Sequence, residues 1–275
     1  MPTPPTDNAH FEQHITASSS NITALEHLAQ NTPLSKQKIK QTMSNGAVWL
    51  ESAIGIHRIR RGKKVVKEND ILHLYYDETI QSTKPLAAEL IADEGEYSVW
   101  NKPYGMYSQG SKWGDHCTIY RWAEEHLTPQ RPAFIVHRLD RAASGLIIIA
   151  HSKKMAATFS ELFKQRLIQK QYSAIVKGDL TKIELPLTID GVIDDKPALS
   201  KILSIKSLND DKTQVTIEIE TGRKHQIRKH MTSIGFPIIG DRLYGNGAEE
   251  VNLQLQANYI KFICPINNTT KEYSL

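Results

Sequence analysis

The residues predict an α+β fold: a large domain on a mixed, largely antiparallel sheet, preceded by a small α/β domain. Three observations carry this. The stretches QYSAIVKG (171–178) and QVTIEIE (214–220) alternate apolar and polar residues as half-buried strands do. LIIIA (146–150) is a continuous apolar run of strand length, consistent with burial on both faces. Helical stretches fall between such strands without the regular alternation that a doubly wound parallel sheet requires. The 275 residues, 40% of them hydrophobic, suffice for one large core and a small companion.

Taken in order, residues 1–20 are rich in Pro, Thr, Ser and Asn with little apolar periodicity, and are expected to form a mobile arm. From 21 to 83 a compact domain is expected. ITALEHLAQ (22–30) reads as a short helix, Pro33 as a break, and Ser35 as the cap of a second helix. Asn45-Gly46 then turns the chain into a strand. Between Ser35 and Lys67 there are nine Lys or Arg residues (Lys36, Lys38, Lys40, Arg58, Arg60, Arg61, Lys63, Lys64 and Lys67) against the single acid Glu51. Such a run is either a solvated face or a phosphate-contacting one. The polar stretch 77–95, with Pro85, reads as a linker into a domain spanning 84–275. There YSVWNKPYGM (97–106) is a strand followed by a Pro-Gly turn. Ser152 caps a helix whose Met155, Phe159, Leu162 and Phe163 share one face, and RKHQIRKHMTSIG (223–235) is a helix stopped by Gly235.

Composition narrows the function. No apolar run approaches a membrane span, and the N-terminus lacks the basic-then-apolar order of a signal peptide, so a cytoplasmic protein without a membrane partner is expected. Cys117 and Cys264 are isolated and read as ordinary thiols; neither a disulfide framework nor a metal site is expected. A net charge of +4 permits a polyanionic partner without requiring one.

Two charged clusters lie at the edges of expected strands. HRLDRAASGL (137–146) sets Asp140 between Arg138 and Arg141, just before a small-residue turn and the apolar strand. A carboxylate beside guanidinium is favoured in its charged form both in structural pairs and in nucleophiles, so the local pattern admits either. TGRKHQIRKHM (221–231) gathers Arg223, Lys224, His225, Arg228, Lys229 and His230, with His225 and Arg228 on one helical side.

NKPYG, HRLDRAASGL, QKQYSAIVKG and TGRKHQIRKHMTSIGFPIIGDRLYG occur in that order, and together they resemble the RluA family of RNA pseudouridine synthases from about Tyr97 to the C-terminus. The segment LSKQKIKQTMSNGAVWLE…GKKVVKENDILHLYY resembles the alpha-L (S-four type) RNA-binding domain that often precedes that catalytic domain, with SAIGIHRIRR (52–61) as an addition to it. The resemblance implies the pseudouridine synthase fold and a cofactor-free isomerase acting on ribosomal or transfer RNA. It also implies Asp140 as the catalytic carboxylate, Tyr172 as the tyrosine of the K-x-Y motif, Arg228 as the cation paired with Asp140, and Arg138 as the residue taking the place of the flipped uridine. Lys102, His137, Arg223 and His225 are expected to bind substrate within these motifs, and Lys36 and Lys40 to contact RNA from the basic helix. Ala143 departs from the usual Thr or Ser and removes a hydroxyl that could brace the loop.

The chemistry asks for such groups. Uridine must leave its stack, lose its N-glycosidic bond, rotate and rejoin through carbon. Asp140 could assist by attack or by proton abstraction from the ribose; both routes stay open. Two other classes compete: an RNA-binding module without activity, which would not need both Asp140 and Arg228, and a small-molecule nucleosidase or glycosidase, which would need a second carboxylate. The candidates for the latter, Asp115 and Asp241, have no motif argument in their favour. A monomer is the default expectation.

Overall fold

A computed structural model describes residues 10–18, 21–209, 211–245 and 251–275. Two compact units are present: residues 1–85 with Gln109–Trp122, and Leu86–Ser108 with Ala123–Leu275.

The first unit begins where an arm is expected. His10–Thr16 is strand β1, paired antiparallel with a later strand from His10↔Asp77 to Thr16↔Ile71. HFEQHIT alternates strictly, and Phe11 and Ile15 pack against the core of this unit, so the arm expectation is corrected there. The remainder of the expected arm, residues 1–9, 19 and 20, lies outside the described residues. Then come β2 (Ile22–Thr23), α1 (Ala24–Asn31), α2 (Lys36–Ser44), β3 (Val48–Ser52), β4 (Gly55–Arg58), β5 (Val65–Val66), β6 (Ile71–Asp77) and α3 (Glu78–Ser82). The helix–turn–helix–strand order holds. Thr23 and Glu26 close a capping box on α1, and the Ser35 hydroxyl accepts the Lys38 N–H on α2. Each such cap is worth about 1 kcal/mol. The sheet runs β1-β6-β3-β4, with Leu28, Ile39, Met43, Val48, Leu72 and Leu74 buried beneath it.

Gln109–Trp122 belongs to this unit, contrary to a linear boundary at residue 84. The reason is a buried carboxylate. Asp115, with 1% of its side chain exposed, accepts Arg58 Nη1 at 2.9 Å, Arg60 Nη2 at 2.6 Å and the Tyr120 hydroxyl. Arg58 also donates from Nε to Gly46 O at 2.8 Å and stacks 4.3 Å over Trp49. Two of the nine basic residues are therefore committed to holding a loop.

The second unit contains β7 (Glu89–Asp93), β8 (Tyr97–Lys102), the end of α4 (Ile119–His126), β9 (Phe134–Ile135), β10 (Ser144–Ala150), α5 (Lys153–Lys164), β11 (Gln169–Lys177), β12 (Leu187–Ile193), β13 (Lys196–Asn209), β14 (Lys212–Ile219), α6 (Gln226–Ser233), β15 (Leu255–Ile263) and β16 (Thr270–Ser274). Its ten-stranded sheet runs β12-β13-β14-β11-β15-β10-β8-β7, with β16 beside β15 and β9 beside β10. Among the described pairs only β10 and β15 run parallel, so the sheet is mixed and largely antiparallel, and the fold class is α+β as the sequence predicts. Leu146, Ile148 and Ala150 face Met155 and Phe159 of α5, while Ile147 and Ile149 are equally buried, which accounts for the unbroken apolar run of β10. No helix among the described residues is long and apolar enough to cross a membrane.

The sharpest steric constraint lies just after Asp140. Gly145 sits at φ +112°, and a Cβ there would stand 2.2 Å from Ala257 O and 2.6 Å from Ala257 N. Both obstacles are main chain of the parallel partner, so neither can swing aside. Gly145→Ala is expected to cost about 3 kcal/mol of stability in urea unfolding; a loss under about 1 kcal/mol would mean that β15 yields.

Candidate active site

The site lies wholly in the second unit and is assembled from four separated stretches. The loop after β9 presents Asp140, and the turn after β8 braces it. The Ser108 hydroxyl donates to Leu139 O at 2.7 Å and accepts Leu139 N–H at 3.0 Å; Gly105 N donates to Arg141 O at 2.8 Å. Lys102 completes the brace. It is wholly buried, and its Nζ donates to Ala143 O (2.7 Å), Met106 O (2.9 Å) and Pro103 O (3.1 Å). Burial pulls its pKa down to about 7 against the charge of Asp140. Three acceptors for three N–H bonds nevertheless match the protonated amine.

Two expectations are corrected here. Lys102, read as substrate-binding, is turned inward to tie the NKPYG turn to the Asp140 loop. His137, also read as substrate-binding, accepts the Ile148 N–H at Nε2 (2.9 Å) and lies 4.5 Å from the Phe163 ring. Burial, with Lys170 nearby, lowers its pKa to about 3, so the ring is neutral and anchors the loop to β10.

Facing Asp140 is the start of α6. The TGR turn before it is held by Gln226, a residue the sequence reading did not single out: its Oε1 accepts Thr221 Oγ1 and Arg223 N, and its Nε2 donates to Leu199 O and Ser200 Oγ. Arg223 donates from Nε to Pro197 O at 2.9 Å. His225 caps α6 in the left-handed conformation, φ +56°, and its Nδ1 meets the Tyr244 hydroxyl at 2.8 Å. Its Nε2 is 3.8 Å from Asp140 Oδ1. Burial lowers its pKa; the charge of Asp140 opposes this, while Arg228, Lys224 and Lys229 add to it.

Arg228 departs most from expectation. Its Nη1 is 3.7 Å from Asp140 Oδ2, an ion pair without a hydrogen bond. Its close partner is Asp241, which accepts Nε at 2.8 Å and Nη2 at 2.6 Å. Arg228 and Asp241 are each 4% exposed. Burial works against both charges, but the paired hydrogen bonds prevail, raising the arginine pKa and lowering that of Asp241, which also accepts Leu243 N and Tyr244 N. The pairing with Asp140 is thus present but secondary, because the bidentate geometry goes to Asp241. The GDRLYG stretch, quoted within the fourth motif, held that signal.

Tyr172 enters from β11 beside a β-bulge and is 8% exposed. Burial, and then the charge of Asp140, raises its pKa, so the hydroxyl stays protonated. Arg138 is exposed, as are Lys36 and Lys40 on α2 of the first unit.

Asp140, with 27% of its side chain exposed, has two flanking nitrogens just beyond hydrogen-bond distance and, among the described residues, no side-chain hydrogen bond that occupies its lone pairs. A two-carboxylate glycosidase would need a second available acid. Asp241 is saturated by Arg228 and backbone N–H groups, and Asp115 is enclosed by two arginines in the other unit. Among the described residues no group of three or more His, Cys, Asp and Glu side chains converges as a metal site would.

Comparison with known proteins identifies the family. The family described as RNA pseudouridylate synthase matches residues 96–233. The chain is 28% identical over 233 residues to an uncharacterised RNA pseudouridine synthase of Bacillus subtilis (strain 168), covering 77% of this chain and 81% of that protein. It is 29% identical over 245 residues to ribosomal large subunit pseudouridine synthase D of Buchnera aphidicola, covering 77% of each. With the dual-specificity RNA pseudouridine synthase RluA of Haemophilus influenzae it shares 30% identity over 203 residues, 68% of this chain and 91% of that one. The solved structure of human RNA pseudouridylate synthase domain containing 1 superposes with a TM-score of 0.58 at 21% identity, over 70% of this chain and 86% of that one, which supports the fold. The chain belongs to the RluA family of RNA pseudouridine synthases.

Proposed function

We propose that the protein isomerises specific uridines of structured RNA, ribosomal RNA first and transfer RNA second, through Asp140 and without a cofactor. The observation that carries this is the placement of Asp140: a partly exposed carboxylate flanked by Arg228 and His225 at 3.7 and 3.8 Å. The glycosidic bond breaks as the sugar carbon gains positive character, which an ionised carboxylate stabilises by attack or by taking a ribose proton. The reaction redistributes bonds within one nucleotide. It calls for neither an electron carrier nor a phosphoryl donor. Tyr172 would supply a ring face for the loose base and a hydroxyl, and Arg138, which is exposed, would take the place of the flipped uridine.

The ribosomal preference draws on the relative named for the ribosomal large subunit. The test is incubation with transcripts of large-subunit ribosomal RNA and with transfer RNA, followed by pseudouridine mapping. Conversion at discrete ribosomal positions is expected; conversion in neither RNA, or release of free uracil, would overturn the reading.

RNA binding is assigned to the first unit, as an S-four-like domain. Arg58 and Arg60 are used internally, whereas Lys36, Lys40, Arg61, Lys63, Lys64 and Lys67 are exposed. Truncating at Thr83 would strip Asp115 of its arginines, so point variants test this more cleanly. Lys36, Lys40, Lys63 and Lys64 changed together to Ala should weaken RNA binding by one to a few orders of magnitude and flatten the slope of log affinity against log salt by up to about 4. An unchanged slope would mark these lysines as a solvated surface.

A further inference from the structure

Arg228 and His225, which lie 3.7 and 3.8 Å from Asp140, are both held by one short turn. Asp241 binds Arg228 through Nε and Nη2, and Tyr244, three residues on, meets His225 at Nδ1. Asp241 is itself fixed there, since its Oδ1 accepts Leu243 N at 3.0 Å and Tyr244 N at 3.1 Å. Its side chain has no exposed surface, so it cannot reach a substrate.

We propose that Asp241 is the positioning residue of this site. It fixes the plane of Arg228 so that Nη1 alone faces Asp140, and it keeps the cation from closing onto that carboxylate. The inference rests on Asp140 being the reacting group. A bidentate Arg–carboxylate pair is the strongest geometry open to a guanidinium, and it occupies the lone pairs that Asp140 needs to attack the sugar or accept its proton. At 3.7 Å the cation supports the negative charge of Asp140 while leaving those lone pairs open. Asp241 wins the competition for Arg228 because it is the more deeply buried carboxylate and is oriented by two backbone donors. The consequence is a site in which charge stabilisation and reactivity are assigned to different carboxylates.

Asp241→Asn tests this. Asn keeps the Oδ1 acceptor for Leu243 and Tyr244, but its amide would meet Arg228 Nε donor against donor and release the guanidinium towards Asp140. Single-turnover conversion is measured with enzyme in excess over RNA, where unfolded molecules change the enzyme concentration required but not the plateau rate. The plateau rate should fall about 10²-fold, while half-saturation, corrected for the folded fraction, stays within about threefold because the phosphate contacts are untouched. A plateau within about twofold of the parent, with only a lower melting temperature, would reduce Asp241 to a structural tie and overturn the proposal. If Asp241→Asn yields too little folded protein, Asp241→Glu, which keeps the charge but displaces the guanidinium, is read in the same way: loss of plateau rate supports the proposal and an unchanged plateau overturns it. Asp140→Asn is run alongside. Activity in that variant would remove the reading of Asp140 itself, whereas an inactive Asp140→Asn beside an unimpaired Asp241→Asn would remove only the role of Asp241.

Discussion

Asp140→Asn is expected to lower the single-turnover rate of pseudouridine formation by about 10⁴-fold or more while leaving RNA affinity within about threefold. The substitution is nearly isosteric and touches little else. Among the described residues Asp140 makes no close side-chain hydrogen bond; Arg228 lies 3.7 Å and His225 3.8 Å from it. The loop carrying it is held by Ser108, Lys102 and His137, none of which bonds to the carboxylate. The loss should therefore be one of chemistry and not of folding, and the melting temperature should barely change. Conversion at a rate near that of the parent would show that another group performs the step.

Arg228→Ala is expected to damage both rate and stability. Removing the guanidinium leaves Asp241 buried without its cation, and breaking a buried pair from one side costs about 3–5 kcal/mol. The plateau rate should fall about 10²-fold or more as Asp140 loses its nearby positive charge. The pH dependence separates the two effects. The pKa of Asp241 is depressed in the folded protein, so its pairing stabilises above the unfolded value of about 3.9 and that stabilisation is lost as pH falls through the folded value. In the variant the orphaned carboxylate prefers to be protonated. The stability gap between parent and variant should hence be widest near neutral pH and narrow as pH falls towards 4, as measured by urea unfolding across that range. A gap independent of pH would mean that Asp241 finds another cation, and an unchanged rate would mean that another cation serves Asp140.

Much of this was legible in the chain because it is written locally. The Ser35 and Ser152 caps act over three residues, the alternation of QYSAIVKG and QVTIEIE has a period of two, and LIIIA is apolar throughout because both faces of β10 are covered. The ordered motifs located Asp140, Tyr172, Arg228 and His225, and the structure brings Arg228 and His225 to within 4 Å of Asp140. HFEQHIT was equally legible by its alternation, but the Pro- and Ser-rich residues around it obscured the pattern.

The sequence by itself determined which residue types stand in which element; only the tertiary structure decided which polar and charged side chains are used inside the protein. Lys102 and His137 have the composition of ligand-binding residues and turn out to be loop anchors, because their acceptors and donors are main-chain atoms supplied by the fold. Arg58 and Arg60 look like phosphate contacts until Asp115, more than fifty positions away, folds between them. Arg228 could have paired with either of two aspartates, and Asp241 prevails through burial and two backbone N–H groups that no spacing rule encodes. The physical reason is common to these residues. Secondary structure follows from interactions a few residues apart, whereas the partner of a charge is set by desolvation and geometry, which exist only once distant parts of the chain have met.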